Sequence, residues 1–244
     1  DSMKDQAQHI KELYFAGGEP LMIPEHYNIL QFMVDEGHAE NCCIRYNSNG
    51  LILKPELFVL WQHFKEVTFN FSIDAYGEKN DYIRHPSKWA DIEKNIKILD
   101  SSNANININI ASAVQMFNVA HLDELAEWKL DQKFSKVNAQ TQGGMISTHL
   151  VYFPSYLNVR VLPEEYKQFA KKRIEAFIER QKFNTQWIQH PMGQVRWEGL
   201  IKYMMEEDWS AKLPQTLDYI RVLDEQRGLD YTKIFPELGE ALCK

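Results

Sequence analysis

Three short stretches of this 244-residue sequence combine residue types that can grip a small polar ligand. Gly17-Gly18-Glu19-Pro20 follows the largely apolar run Leu13-Tyr14-Phe15-Ala16. Two consecutive glycines let a backbone take positive φ and approach a ligand closely, and the proline then fixes the exit. Asn47-Ser48-Asn49-Gly50 begins twenty-seven residues after Pro20, and Ser72-Ile73-Asp74-Ala75 comes later, each closing a β-rich run. The ends of strands are where parallel barrels keep their functional loops. Each stretch also has a plain structural reading: a tight turn for the glycines, turn formation for Asn47 and Asn49, and capping for Asp74.

The elements that must position these groups alternate along the chain. Residues 13–16 predict a strand, 24–36 a helix closed by Gly37, and 42–46 a second strand. Residues 54–64 read as a short helix, 67–73 as a third strand, and 89–99 as a helix with Ile92, Ile96 and Leu99 on one face. A fourth strand over 105–114, a helix over 122–130 and a fifth strand over 136–140 follow. The strands recur every ~25–40 residues, the size of one strand–helix–strand unit. That alternation predicts a parallel sheet with helices outside it. From Leu162 the pattern turns helical: Pro163 opens a helix over 164–181, and further helices are expected over 199–207, 214–226 and from 234. We therefore divide the chain into an α/β part, residues 1–162, and a helical C-terminal extension, residues 163–244.

The strand faces carry a further signal. Asn105, Asn107 and Asn109 alternate with Ile106, Ile108 and Ile110, and Asn70, Ser72 and Asp74 alternate with Phe69, Phe71 and Ile73. Side chains alternate across a strand, so each strand has one polar and one apolar face. Strands buried on both sides read as continuous apolar runs instead, and a closed barrel fills its centre with branched aliphatics. The expected fold is thus α/β, a partial parallel (β/α) TIM-like barrel. Its polar face would line an interior holding a ligand, with Asn107 and Asn109 either in the substrate cavity or bonding water. An antiparallel sheet with one wet face would alternate in the same way.

Composition bounds the function. The net charge of −7 argues against a general nucleic-acid surface, no apolar run approaches the ~18 residues that span a bilayer, and the polar start shows no signal peptide. The three cysteines, Cys42, Cys43 and Cys243, form no disulfide framework, which suits a reducing, cytoplasmic compartment. The histidines show no metal-ligand spacing, so no metal ligands and no catalytic residue are assigned.

Taken in order, Gly17-Gly18-Glu19-Pro20, Asn47-Ser48-Asn49-Gly50 and Ser72-Ile73-Asp74 resemble the S-adenosylmethionine (SAM) site of the radical SAM superfamily, over about residues 10–130. Met116-Phe117-Asn118, running on to Trp128, is similar to that family's fifth strand and the helix after it. Phe71 to Gly77, Tyr82-Ile83-Arg84, Lys88-Trp89, Leu223-Asp224, Arg227-Gly228 and Phe235 to Leu238 resemble the members that carry a twitch or SPASM-type domain. The resemblance implies that the Gly17, Gly18, Glu19 and Pro20 turn takes the methionine amino group, with Asn49 beside it. It implies that Ser72 and Asp74 bond the ribose or the methionine carboxylate, that Arg84 pairs with that carboxylate, and that Asn118 reaches the ribose or adenine. Arg84 would equally serve as a surface ion pair and Asn118 as a turn former.

The family's cluster-binding signature, Cys-x3-Cys-x2-Cys, is not present among Cys42, Cys43 and Cys243. The ligands of a 4Fe–4S cluster are accordingly expected upstream of Asp1. With that cluster and an electron donor, the family's enzymes make a 5′-deoxyadenosyl radical that abstracts hydrogen, an oxidoreductase-type chemistry. The substrate could be a peptide, a nucleotide or a small metabolite. A non-catalytic SAM-binding relative and an ordinary α/β nucleotide-binding enzyme such as a methyltransferase are the other readings. The absence of Gly-x-Gly-x-x-Gly after the first strand counts against the last.

Overall fold

The structure, a computed structural model, describes residues 6–137, 145–188 and 191–242. Five strands form one sheet in the order β1-β2-β3-β4-β5: Glu12–Phe15, Cys43–Ser48, Glu66–Ser72, Ile106–Val114 and Ser147–Leu150. The pairs β1–β2, β2–β3 and β4–β5 are parallel. The alternative of an antiparallel sheet is thereby overturned. The helices are α1 Pro24–Asp35, α2 Pro55–Trp61, α3 Glu78–Ile83, α4 Trp89–Ser101, α5 Leu122–Gln132, α6 Glu164–Gln181, α7 Thr185–Ile188, α8 Pro191–Glu206, α9 Leu213–Arg227, α10 Tyr231–Ile234 and α11 Pro236–Leu242. Among the described residues, no helix is long and apolar enough to cross a membrane.

Two expectations move. The fifth strand lies at Ser147–Leu150. At the expected place, Val137 makes an isolated parallel bridge with Ile108, and residues 138–140 lie outside the described residues. Met116–Asn118 is a turn rather than a strand, with the Asn118 side chain accepting from Gln115 N at 2.7 Å and closing it. The sheet contains five strands, so the structure shows an α/β fold with a parallel sheet.

The chain forms two compact units. The first comprises Asp1–Ser72, Ala90–Ile110 and Phe134–Gln140, and the second Ile73–Trp89, Ala111–Lys133 and Thr141–Lys244. In the first unit, the alternation read from sequence becomes two faces. Ile44, Tyr46, Val67, Phe69, Phe71, Ile106, Ile108 and Ile110 are buried, as are Leu30 and Met33 of α1, Leu57 and Trp61 of α2, and Ile92, Ile96 and Leu99 of α4. Arg45, Asn47, Thr68, Asn70, Ser72, Asn107 and Asn109 lie on the opposite face and keep contact with solvent. In the second unit, Phe177, Trp187 and Trp197 pack ring against ring at 4.9–5.4 Å. Tyr82, Phe117 and Phe235 form another aromatic group, with centroids 5.3–5.5 Å apart.

The core of the first unit holds a buried histidine. His26, on α1, hydrogen-bonds the Tyr46 hydroxyl through Nε2 at 2.8 Å, and Trp61 Nε1 donates to the same hydroxyl at 3.1 Å. Phe15 meets the His26 ring edge-on at 4.6 Å. Burial, reinforced by the Lys54 charge, pushes the imidazole down to a pKa of about 4 from 6.5. A folded-state pKa below the unfolded one means that the unfolded chain takes up the proton first. Stability should therefore be full above pH ~6.5 and fall as the pH drops toward 4. Urea midpoints measured between pH 7 and 4.5 should decline, and a His26→Gln chain should lose part of that slope. Identical slopes would show that His26 does not carry it.

Candidate functional site

In the first unit, the Gly17–Pro20 turn leaves the C-terminal end of β1. Gly17 has φ +84° and Gly18 +55°, both in the left-handed region where a side chain is strained. A Cβ built on either glycine would meet no atom within 4 Å, so this stretch of backbone faces open space. Its polar groups can be reached by a ligand.

Glu19 does not face that space freely, because its carboxylate is a brace. Oε1 accepts from Ser48 Oγ at 2.7 Å and, more weakly, from Leu21 N at 3.4 Å, while Oε2 accepts from Asn49 N at 2.9 Å. Glu19 thus caps the short 3₁₀ turn Pro20–Met22 and ties it to the loop after β2. That loop is fixed from its other side. Gly50 N donates to Ser48 Oγ at 3.0 Å, Leu51 N donates to Asn49 Oδ1 at 3.0 Å, and Asn95 Nδ2 of α4 donates to Gly50 O at 2.7 Å. Tyr27 of α1 donates its hydroxyl to Leu21 O at 2.8 Å and holds the end of the turn. Ser48, Asn95 and Tyr27 were not anticipated. A serine beside Asn49 was a visible signal, whereas Tyr27 comes from the helix that follows the turn and Asn95 from a helix distant in sequence.

The open face of this unit carries a side-chain ladder. Asn109 Nδ2 donates to Asn70 Oδ1 at 2.9 Å, Asn70 Nδ2 to Asn47 Oδ1 at 2.9 Å, and Asn47 Nδ2 to the Tyr14 hydroxyl at 2.7 Å. Glu12 and Arg45 pair at 3.0 Å in the next row. Ser72 and Asn107 are half-buried on the same face.

The second unit gathers Asp74, Arg84 and Asn118. The Asp74 carboxylate accepts from Ala113 N at 2.7 Å and from Arg84 Nη2 at 3.1 Å. Arg84 Nε stands 2.8 Å from the other oxygen, but its N–H is not aimed well enough to make a second hydrogen bond. Burial raises the Asp74 pKa, and the neighbouring guanidinium opposes that rise. Asn80 Oδ1 accepts from the backbone N of Asp74 and Ala75 at 3.0 and 3.4 Å. Asn118 is fully buried, and its Nδ2 donates to Asp74 O at 2.7 Å and Ala113 O at 3.0 Å. The partner of Arg84 is therefore Asp74, and Asn118 binds the turn it sits in. The C-terminal stretch is knitted to the same unit. Tyr82 donates its hydroxyl to Asp224 Oδ1 at 2.9 Å, and Arg227 Nη1 donates to Tyr82 O at 2.9 Å.

Among the described residues, no three histidine, cysteine or acidic side chains gather to hold a metal ion. Cys42 is buried, its thiol is pushed up to about 11 by that burial, and its Sγ–H points to Cys43 O at 3.4 Å. Cys243 lies outside the described residues.

No protein-family model and no curated protein matches the chain. Solved structures do match. Streptococcus suis SuiB bound to S-adenosylmethionine is 14% identical with a TM-score of 0.46, over 75% of this chain and 40% of that one. Native anSMEcpe with bound AdoMet and the Kp18Cys peptide is 14% identical with a TM-score of 0.49, over 72% of this chain and 48% of that one. Native anSMEcpe with AdoMet and the Cp18Cys peptide gives 14% and 0.47 over the same shares. The chain thus spans less than half the length of each of these solved structures.

The loop after β2 gives a sharp structural test. Gly50 has φ +72°, and a Cβ there would stand 2.1 Å from the Phe71 ring. Left-handed strain of about 1–2 kcal/mol and overpacking of about 1–3 kcal/mol should make Gly50→Ala destabilising by several kcal/mol in urea unfolding. Glu19→Ala removes the brace and should cost roughly 1–3 kcal/mol through donors left unpaired. A Gly50→Ala chain as stable as the parent would show that this loop does not pack on Phe71.

Proposed function

We propose that this chain is the SAM-binding part of a radical SAM enzyme of the twitch or SPASM type, with residues 1–162 a partial barrel and 163–244 its helical extension. The observation that carries the reading is the Gly17-Gly18 turn, whose positive φ angles and open surroundings expose its backbone at the end of β1. A protonated amino group is a donor only, so a pair of unused carbonyls is what it needs. The sheet order adds support. Strands laid down in sequence order with right-handed crossovers put their helices on one face, as a barrel does. The doubly wound nucleotide-binding folds reverse direction at a switch point, and this order has no reversal. That weighs against the methyltransferase-like alternative.

In this reading Gly17, Gly18 and Pro20 shape the cradle for the methionine amino group, and Glu19 positions it by bracing Asn49. Ser72 contributes a hydroxyl on the polar face. Asp74, Arg84 and Asn118 would contribute by holding the loops after β3 and β4 in shape, and Arg84 would have to share its guanidinium between Asp74 and a ligand carboxylate. Asn107 and Asn109 would face the substrate, for which a peptide fits the polar, hydrogen-bonding surface. The described residues do not supply ligands for a 4Fe–4S cluster. When bound, a reduced cluster supplies the electron that cleaves SAM, and that electron requires a donor protein in a reducing, cytoplasmic setting. The chain's own part is to bind SAM and orient it. A non-catalytic SAM-binding relative would use the same cradle.

The test is SAM binding to the 244-residue chain by equilibrium dialysis. Gly18→Val closes the cradle and displaces the amino group. Losing one charge-assisted hydrogen bond, about 1.5–3 kcal/mol, should weaken binding at least tenfold. Gly228→Val, at φ +64° in the cap of α9, introduces comparable strain away from the cradle and should leave SAM affinity unchanged. Equal SAM affinity in the parent and Gly18→Val chains would sink the assignment.

A further inference from the structure

The second unit contains an open cavity of about 700 Å³ that the proposed SAM site does not use. One wall is aromatic. Tyr76 is 41% exposed, lies near-parallel to the Trp128 ring at 6.2 Å, and meets Trp89 edge-on at 5.1 Å. Trp89 and Trp128 also touch each other at 4.8 Å, so the exposed Tyr76 ring is held from behind by two others. An aromatic face kept rigid and wet attracts a cation through its quadrupole.

The other wall is α5. Glu124, Glu127, Trp128 and Asp131 follow the three- and four-residue spacing of one helical face, and all line the cavity. Two of the acids are already neutralised. Glu124 pairs with Lys79 at 2.8 Å and Arg173 at 3.0 Å, and Glu127 pairs with Arg180. Burial alone would raise the Glu124 pKa, but hydrogen bonds from His121 and Lys79 outweigh it and hold the carboxyl down to about 2. Asp131 and, from α3, Glu78 line the cavity with no ion pair drawn among the described residues. The cavity therefore joins a fixed aromatic face to two uncompensated negative charges. It would repel phosphate and carboxylate ligands. A metal ion is a poor fit, because no three ligating side chains converge among the described residues.

We propose that this cavity binds an alkylammonium group, presented by a lysine side chain of a peptide, with Tyr76 as the cation–π face and Glu78 and Asp131 as the charge partners. The class is set by the two walls together: the methylene stem lies along the rings, and the charged end reaches the carboxylates. The inference does not depend on SAM binding, and a chain that fails to bind SAM could still show it.

The experiment uses fluorescence anisotropy with a labelled acetyl-tetralysine amide and the 244-residue chain. The parent should bind, and the same peptide acetylated on every Nε should bind at least tenfold more weakly. Tyr76→Ala and the double variant Glu78→Gln/Asp131→Asn should each lower affinity fivefold or more. Neutralising Asp35 and Glu36, which end α1 in the other unit, should change affinity less than twofold. That control separates the cavity from the overall charge of −7. Tyr76→Leu keeps an apolar wall without the quadrupole and covers the case in which Tyr76→Ala unfolds; it should also lose affinity. Spermidine that displaces the peptide and loses affinity in the same variants would support the alkylammonium site but overturn the peptide source. Equal binding of the acetylated peptide, or affinity indifferent to Tyr76, Glu78 and Asp131, would overturn the proposal.

Discussion

A parallel sheet wound in one direction covers one of its faces and must satisfy the other without helices. Much of the first unit follows from that constraint. Its apolar face is built from Phe, Ile, Val and Tyr against α1, α2 and α4, and it takes in the hydrogen-bonded group His26–Tyr46–Trp61. On the other face the side chains bond to one another. Asparagine suits this because one amide both donates and accepts, so the chain from Asn109 through Asn70 and Asn47 to Tyr14 can cross four strands without a break. Asn47 and Asn70 stand directly opposite in register. A slip of one residue would turn both toward the apolar core, so the ladder and the core specify the same register.

The loops at the strand ends are organised by carboxylates. Glu19 in the first unit accepts from a side chain and a backbone N–H of the loop after β2, and Asp74 in the second accepts from Ala113 N near the end of β4 and from Arg84 just after α3. The consequence for binding is specific. Side chains that sequence alone marks as ligand groups are largely engaged in holding loops, and the reachable polar atoms at the Gly17-Gly18 turn belong to the backbone. A site made of backbone depends on loop shape more than on any single functional group. That is why Ser48, Tyr27 and Asn95, which hydrogen-bond these loops, matter to it.

Period-two and helical patterns made the first four strands and most long helices legible, because each buries one regular face. Boundaries slid by a few residues where the pattern faded, as at Asn47 and Ser48, which extend β2 beyond its apolar run. The fifth strand escaped notice because Ser147-Thr148-His149-Leu150 is short and mostly polar. Helix α3 spans only Glu78–Ile83, too short to show a period. The glycines and the Asn and Asp positions at strand ends were visible as candidates. What sequence could not supply was their partners. That Arg84 meets Asp74, or that Asn118 spends its amide on Asp74 O and Ala113 O, depends on how distant segments fold back on each other.

The carboxylates of the second unit sort by what compensates them. Asp123 is buried, and a desolvated carboxylate is costly unless paired. Arg173 reaches both of its oxygens, at 2.8 and 3.0 Å. Glu124 shares that arginine and adds Lys79 and His121. Burial raises the Asp123 carboxyl and Arg173 opposes that rise, while His121 and Lys79 hold Glu124 low, so these pairs contribute to the packing of α5 against α6. The cost of burying their charge is offset inside the fold. Glu78 and Asp131 differ because both are exposed and lie beside a rigid aromatic face. Solvent already stabilises an exposed carboxylate, so it needs no partner for folding. Position then becomes the informative property, and two such groups lining one cavity with Tyr76 create a local negative potential that the ion pairs drawn by the neighbouring acids leave uncancelled. In the fold, that potential has no structural use that the hydrogen bonds or ion pairs reveal, and an external cation is the simplest group that would complete it.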